Sequence, residues 1–190
     1  MTARRAAAIA IASVGVAAVA LILYITLPRW RGRAAANRGA TSAPAAPAAP
    51  GRKIKARLFY VSEDGTRLTG VERDVAYGDG IEQAREVINA QIAPVSQPLV
   101  SAVPPGTALR TLFITDRGAA YVDLSHDVVS AQTGGTLNEM LTVYTIVDAL
   151  TANLPAVHAV QILVDGKEVQ TLSGHVDLRQ PLIQNLSLVQ

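Results

Sequence analysis

The sequence predicts an α+β domain in which antiparallel sheets are built from hairpins and two helices pack on one face, preceded by one transmembrane helix. Three observations support this. Short segments with strand-like alternation occur in pairs separated by turn residues. Two segments between the pairs carry apolar residues at helical spacing. An uncharged, mostly apolar run of residues lies at 6–28. The predicted order of the domain is ββ-α-ββ-α-ββ.

The first pair of strands is predicted at residues 53–61 and about 67–76, with a turn at Asp64-Gly65. A second hairpin is predicted from strands at 108–115 and 119–124. The last pair comprises residues 157–164 and 168–172. Val, Ile and aromatic residues are frequent in these segments, as is typical of strands.

Both helices begin with the pattern of a capping box. In the first, Asp79 is the predicted N-cap and Glu82 its partner, and Pro94 follows the helix. In the second, Thr136 and Glu139 form the box, and a helix of about 18 residues follows. The polar face predicted for this second helix comprises Asn138, Thr142, Thr145, Asp148 and Thr151.

Residues 6–28 are predicted to form a transmembrane anchor behind a short tail, residues 1–5. Ala6 to Leu27 is uncharged, and at 1.5 Å per residue it extends about 33 Å, enough to cross a bilayer. It is longer than the apolar region of a cleavable signal peptide. Residues 29–52 are an Ala/Pro-rich linker, 53–182 the domain and 183–190 a C-terminal tail.

The charges separate the chain into two parts. Residues 1–52 carry seven arginines and no acid, whereas the acids exceed the bases from residue 53 onward. An acidic domain argues against a nucleic-acid partner, which requires a basic face. The chain has no cysteine, which excludes disulfides, thiolate metal ligands and a lipid-modified cysteine.

The orientation of the anchor is ambiguous from charge alone. Arg4 and Arg5 precede it, and four arginines follow it, so the positive-inside rule places the domain in the cytoplasm. The short basic N-terminal tail instead resembles a signal anchor whose N terminus stays inside. The family resemblance favours the second orientation, a single-pass protein of the inner (cytoplasmic) membrane with its C-terminal domain outside the cytoplasm.

The sequence resembles the GerMN domain family, named for sporulation and spore germination. The matching segments are residues 58–61 with the turn at 64–65, then 71–75, 103–109, 120–125, 162–167 and 174–178. The resemblance implies a membrane-anchored or lipid-anchored domain outside the cytoplasm, with a fold similar to ring-building motifs of envelope assemblies. It implies no enzymatic activity and no cofactor.

The loop Pro104-Pro105-Gly106-Thr107 is the candidate interaction site. Two prolines stiffen it and a glycine permits positive φ, and rigid exposed loops are suited to recognition. A plain turn leading into the second hairpin explains the same residues.

Asp123, Ser125, His126 and Asp127 form the densest polar cluster. Serine, histidine and aspartate suggest a catalytic triad, but neighbours in sequence rarely form one, and a strand end followed by a turn accounts for them. The three histidines, His126, His158 and His175, are not spaced as metal ligands.

The predicted function is a non-enzymatic envelope module that binds a protein partner or a second copy of itself. A domain that binds peptidoglycan or another glycan is the alternative, although the aromatic content of 4% is low for sugar platforms. An envelope hydrolase using the polar cluster is a third hypothesis.

Overall fold

The computed structural model describes residues 51–190, which fold as an α+β domain, as predicted. The strands are β1 Lys53–Val61, β2 Leu68–Ala76, β3 Leu109–Ile114, β4 Ala119–Leu124, β5 Ala159–Val164 and β6 Lys167–Glu168. The helices are α1 Ile81–Ile92, α2 Asp127–Ser130 and α3 Thr136–Asn153, followed by a 3-10 turn at Leu186–Leu188. The predicted tail 1–5, the anchor 6–28 and residues 29–50 of the linker lie outside the described residues.

No helix within residues 51–190 has both the length and the apolar character needed to cross a bilayer.

The strands form two sheets. β1 and β2 pair antiparallel over their whole length, from Lys53 opposite Ala76 to Val61 opposite Leu68. The second sheet has the order β3-β4-β5-β6. Its hairpins β3-β4 and β5-β6 are antiparallel, as predicted, although β6 is only two residues long.

The prediction of purely antiparallel sheets is wrong at one pairing, because β4 and β5 run parallel. Two helices, α2 and α3, separate these strands, so the chain returns to the end of the sheet where β4 began before it enters β5. The helix α2 was not predicted either. It directly follows β4, where only a strand end and a turn were predicted.

The core includes the face of the second sheet that carries Leu112, Val122 and Ile162. These three residues lie opposite one another across β3, β4 and β5, and all are buried. Helix α1 contacts β3, and α3 contacts β5 and β1.

The predicted polar face of α3 is wrong, because Thr142, Thr145 and Asp148 are buried. The C-terminal segment covers part of this helix, since the Asn185 N–H donates to Asp148 Oδ1 at 3.0 Å. The segment continues to the first sheet, where the Gln190 N–H donates to the Leu68 carbonyl at 2.9 Å. Residues 183–190, predicted to be a tail, therefore connect α3 to β2.

Neither predicted capping box forms. The residues before the two helices are Gly80 and Gly135, and no side chain caps either helix. The Asp79 side chain instead accepts a hydrogen bond from the Tyr77 hydroxyl. The Glu139 side chain turns away from its own helix toward the C-terminal part of the chain, where it finds several donors.

Candidate protein-interaction site

The predicted loop 104–107 is a closed turn. Thr107 donates from its hydroxyl and from its backbone N–H to the Pro104 carbonyl, at 2.7 and 3.3 Å. Gly106 adopts φ +85°, a conformation that glycine tolerates best. Pro104 and Thr107 are buried, whereas Pro105 and Gly106 are exposed. The turn therefore presents two small residues on a rigid base.

The chain before this turn is fixed to the rest of the fold on both sides. The Val61 N–H, at the end of β1, donates to the Val100 carbonyl at 2.9 Å. The Thr142 hydroxyl on α3 donates to the Ala102 carbonyl at 2.6 Å. Residues 99–107, named here the ridge, are thus attached to both a strand and a helix, while the side chain of Val100 remains 52% exposed.

Two clefts lie along the ridge. Cleft A has a volume of about 490 Å³, and cleft B about 300 Å³. Cleft A is bounded on its far side by the end of α1 and the residues after it, Ile92, Ala93, Pro94 and Val95. Cleft B is bounded by α3 residues such as Leu141 and by the segment 131–133. Both clefts share Val100, Ser101, Val103, Pro104 and Pro105.

The chemistry of the clefts is that of a site for apolar side chains. No acidic or basic residue lines either cleft, and hydroxyl or amide groups such as those of Ser101 and Gln132 supply the polar atoms. Their volumes are in the range of small-ligand pockets, and a largely apolar lining with a few hydrogen-bonding groups suits recognition.

The polar cluster is divided by the structure into separate groups. The Ser125 hydroxyl donates to Asp127 Oδ2 at 2.9 Å and accepts from the Ala108 N–H at 3.0 Å. A side chain added at Gly106 would place its Cβ 3.4 Å from Asp127 Oδ1. Ser125 and Asp127 therefore support the base of the turn that ends the ridge.

Asp123 and His126 do not join this pair. Asp123 is buried, and its Oδ1 accepts from the Gly166 N–H at 2.7 Å, while its Oδ2 lies 3.7 Å from Arg110 Nη1. His126 precedes α2, and its ring makes no hydrogen bond within residues 51–190. A triad needs histidine between serine and aspartate, whereas here Ser125 contacts its aspartate directly.

Glu139 is a residue whose role the sequence did not reveal. Its side chain is fully buried, and its carboxylate accepts from the backbone N–H groups of Leu172, Ser173 and His175 at 2.8–3.0 Å. It also accepts from the Ser173 hydroxyl and contacts His175 Nδ1, both at 3.0 Å. Burial alone raises the pKa of Glu139, but these hydrogen bonds outweigh it and lower the pKa to about 2.

The tyrosines that could stack against a sugar lie outside clefts A and B, although Tyr60 borders a third cleft of about 430 Å³ together with Glu63 and Asp64. Tyr60 is buried at 1% exposure, and the Tyr77 ring is covered by the Arg52 guanidinium at 4.1 Å. Tyr121 and Tyr144 are half-buried, and none of the four lines cleft A or B. No three His, Asp or Glu side chains in residues 51–190 are arranged to hold a metal ion.

Solved structures share the fold, among them the following three. A protein from Clostridium perfringens, classed provisionally as a lipoprotein, aligns with a TM-score of 0.51 and 23% identity over 74% of this chain and 93% of its own. The tandem GerMN domains of the sporulation protein GerM from Bacillus subtilis align with a TM-score of 0.54 and 13% identity over 72% of this chain and 48% of that one. The first GerMN domain of the same protein aligns with a TM-score of 0.51 and 15% identity over 68% of this chain and 97% of that one.

Among curated protein sequences, none matches the chain. The family model described as "Germane: Sporulation and spore germination" matches residues 57–170, most of the domain. The resemblance read from the short segments is therefore confirmed, and the chain belongs to the Germane (GerMN-related) family of sporulation and spore germination domains.

Proposed function

We propose that this protein is a membrane-anchored, non-enzymatic module that presents its GerMN-related domain outside the cytoplasm and binds a protein partner along the ridge 99–107. The observation that carries the proposal is an exposed apolar side chain, Val100, on a rigid segment between two clefts without charged lining. Apolar contacts on a pre-organised surface are typical of the centre of protein interfaces.

The anchor and the placement of the domain rest on the sequence. The uncharged residues 6–28 have the length of a membrane span, and the linker behind them suits a domain that acts away from the bilayer. The Clostridium perfringens protein of similar fold is classed provisionally as a lipoprotein, which supports a location at the envelope. The chain has no cysteine for lipidation, so the anchor in this proposal is its apolar segment.

A binding role is favoured over catalysis by the state of the polar cluster. Ser125 and Asp127 use their hydrogen-bonding groups to support the ridge, and the Ser125 hydroxyl donates to Asp127 rather than to His126. A glycan-binding role is less favoured, because clefts A and B offer no aromatic face on which a sugar ring could stack, and Tyr60 in the third cleft is only 1% exposed. Replacing His126 with alanine should therefore leave the cellular function intact, and loss of that function with a folded variant would support a hydrolase instead.

The test compares two substitutions that each place a charge on an exposed apolar residue. Val100→Asp lies on the ridge, and Ile183→Asp, at a position 70% exposed, is the matched control away from the clefts. Full-length protein with an N-terminal tag is purified from solubilised envelope, and the co-purifying proteins are quantified. We expect Val100→Asp to lower recovery of a specific partner about tenfold or more, since an apolar anchor contributes roughly 1.5–3 kcal/mol.

Equal recovery with both variants would contradict the proposed site. Failure of the unmodified protein to enrich any protein above a membrane control would contradict the function itself.

A further inference from the structure

We propose that β3 pairs antiparallel with β3 of a second copy of this chain, centred on Phe113. β3 is the outer strand of the four-stranded sheet, and it carries Phe113, which is 58% exposed. The proposal uses the proposed membrane anchor for one purpose: two copies held on the same membrane are at high local concentration. It concerns a surface separate from the ridge.

The outer edge of β3 has unused backbone groups. The Thr115 N–H donates to the Ala119 carbonyl at 2.9 Å, and Phe113 lies opposite Tyr121. Hydrogen-bonding positions alternate along an antiparallel strand, so the backbone of Phe113 faces β4 while those of Leu112 and Ile114 face outward. Within the described part of the chain, no other element bonds to these outward groups.

The neighbouring helix leaves this edge open. Arg85 on α1 reaches only the Thr111 hydroxyl, at 3.5 Å. The outer edge of β1 is different, because Gln91 and Asn153 bind its backbone at Phe59 and Arg57. An open edge strand is a ready template for pairing with another strand.

A two-fold axis at Phe113 gives a register that is consistent in its backbone and its side chains. The outward groups of Leu112 meet those of Ile114 from the second copy, as a hydrogen-bonded pair requires. Phe113 lies directly opposite its own copy, an aromatic pair of the kind that stabilises adjacent strands. At the ends of the pairing, Thr111 lies opposite Thr115 of the second copy, a threonine pair of the kind that stabilises adjacent strands. Arg110 stays paired within its own chain, with Asp165 at 3.0 Å and Asp123 at 3.7 Å.

The edge of β2 does not offer the same complementarity. The outward-facing backbone groups of Gly70, Glu72 and Asp74, on the side away from β1, are also without partners in residues 51–190. A two-fold axis at Glu72 or at Arg73, however, places like charges opposite each other, and such pairs destabilise a ladder. An axis at Val71 would bring the strand against Gln190, which already bonds to Leu68.

Pairing of one short strand buries less surface than a standard stable interface, so the dimer should be weak in dilute solution. Tethering both copies to one bilayer raises their effective concentration and favours the pair. The expected species is therefore a reversible dimer that is most populated when the full-length protein is in a membrane.

The absence of cysteine makes the register directly testable by single-cysteine crosslinking. Full-length protein is reconstituted in phosphatidylcholine vesicles and oxidised mildly. Phe113→Cys places two Cβ atoms about 4.5–5.5 Å apart, close to disulfide distance, so it should form crosslinked dimer roughly tenfold faster than Glu72→Cys on the β2 edge. Thr111→Cys alone should not crosslink, because its two copies lie about 13 Å apart along the strands.

A second pair of variants keeps Phe113 in place. Mixing Thr111→Cys with Thr115→Cys should give a mixed dimer, since these positions lie opposite each other in the proposed register. Adding Phe113→Asp to both variants, which places two like charges opposite each other at the axis, should lower this crosslinking about fivefold, and Ile183→Asp, at another exposed apolar residue, should not.

Crosslinking at 113 no faster than at 72, or a mixture of Thr111→Cys and Thr115→Cys insensitive to Phe113→Asp, would overturn the proposal. The proposed function would be unaffected by that result if Val100→Asp still abolished binding of the protein partner. Only the proposal of the β3 dimer would then be wrong.

Discussion

Gln91 on α1 binds both backbone groups of Phe59 on β1. Its Oε1 accepts from the Phe59 N–H at 2.8 Å, and its Nε2 donates to the Phe59 carbonyl at 2.7 Å. Asn153 on α3 does the same for Arg57, at 2.8 and 2.7 Å. Two side-chain amides thus replace the strand that would otherwise lie beside β1, and they attach both long helices to one strand.

Replacing Gln91 with leucine should be strongly destabilising. Gln91 and Phe59 are both fully buried. The variant therefore leaves the N–H and the carbonyl of Phe59 without partners, each at a cost of about 1–3 kcal/mol. We expect the free energy of unfolding to fall by about 2–4 kcal/mol in urea titration. Asn89→Leu, at an exposed position of the same helix, is the control and should change it by less than about 0.5 kcal/mol. Similar losses for both variants would contradict the role of this amide.

Glu139 should make stability depend on acid pH. Its pKa in the folded protein is lowered to about 2, so its contribution is fully present above the ordinary value of 4.5 and is lost as the pH falls toward 2. Glu139→Gln should lower the free energy of unfolding at pH 7 by about 1–3 kcal/mol, since a neutral amide satisfies fewer of the donors.

The same variant should also flatten the decline in stability between pH 5 and pH 2, measured by urea titration at each pH. The exposed Glu63→Gln provides the comparison. A Glu139→Gln profile parallel to that of the unmodified protein would show that this carboxylate is not the acid-sensitive group.

Asp148 should behave in the opposite way. Burial raises its pKa, although the hydrogen bond from the Asn185 N–H acts to lower it, and its Oδ2 has no partner within the described residues. A raised pKa means that the favourable protonated form is lost as the pH rises through the folded value. Asp148→Asn keeps an acceptor for Asn185 and carries no charge, so it should raise stability at pH 7 by about 1 kcal/mol.

The advantage of Asp148→Asn over the unmodified protein should shrink as the pH is lowered below the ordinary aspartate range. Thermal melts at pH 7 and pH 3 measure this difference. A variant less stable than the original at pH 7 would show that the buried carboxylate contributes favourably in its ionised form.

The placement of the domain can be tested with a reporter that is active only outside the cytoplasm, fused after Gln190. We expect activity from the full-length chain, because the family resemblance implies a domain outside the cytoplasm. Deleting residues 6–28 should abolish it. Activity of the complementary cytoplasmic reporter with the intact chain would reverse the predicted orientation.

The local patterns predicted most strands and both long helices well. Alternation located β1 over residues 53–61, and α3 covers 18 residues from Thr136. The parallel pairing of β4 with β5 could not be predicted in the same way, because the direction of β5 depends on where the end of α3 lies relative to the sheet. Periodicity describes each element alone and says little about its neighbours.

The wrong predictions for the side chains of α3 also arose because helical spacing does not reveal contacts with distant parts of the chain. The spacing of Glu139 from Thr136 fits a capping box, but in the fold its carboxylate binds backbone N–H groups in residues 172–175. Asp148 appears solvent-facing by helical spacing, but Asn185 covers it. In the candidate site, the prolines at 104 and 105 suggested a rigid loop, whereas the clefts on both sides depend on contacts with β1 and α3 that only the fold reveals.

The central claim, that the ridge binds a protein partner, is tested most directly by a photo-crosslinking residue placed at Pro105 of the full-length chain in its own cells. We predict one discrete adduct with another protein, which disappears when Val100→Asp is added and is absent when the probe is placed at the exposed Lys167. No adduct at 105, or the same adducts from both probe positions, would contradict the claim.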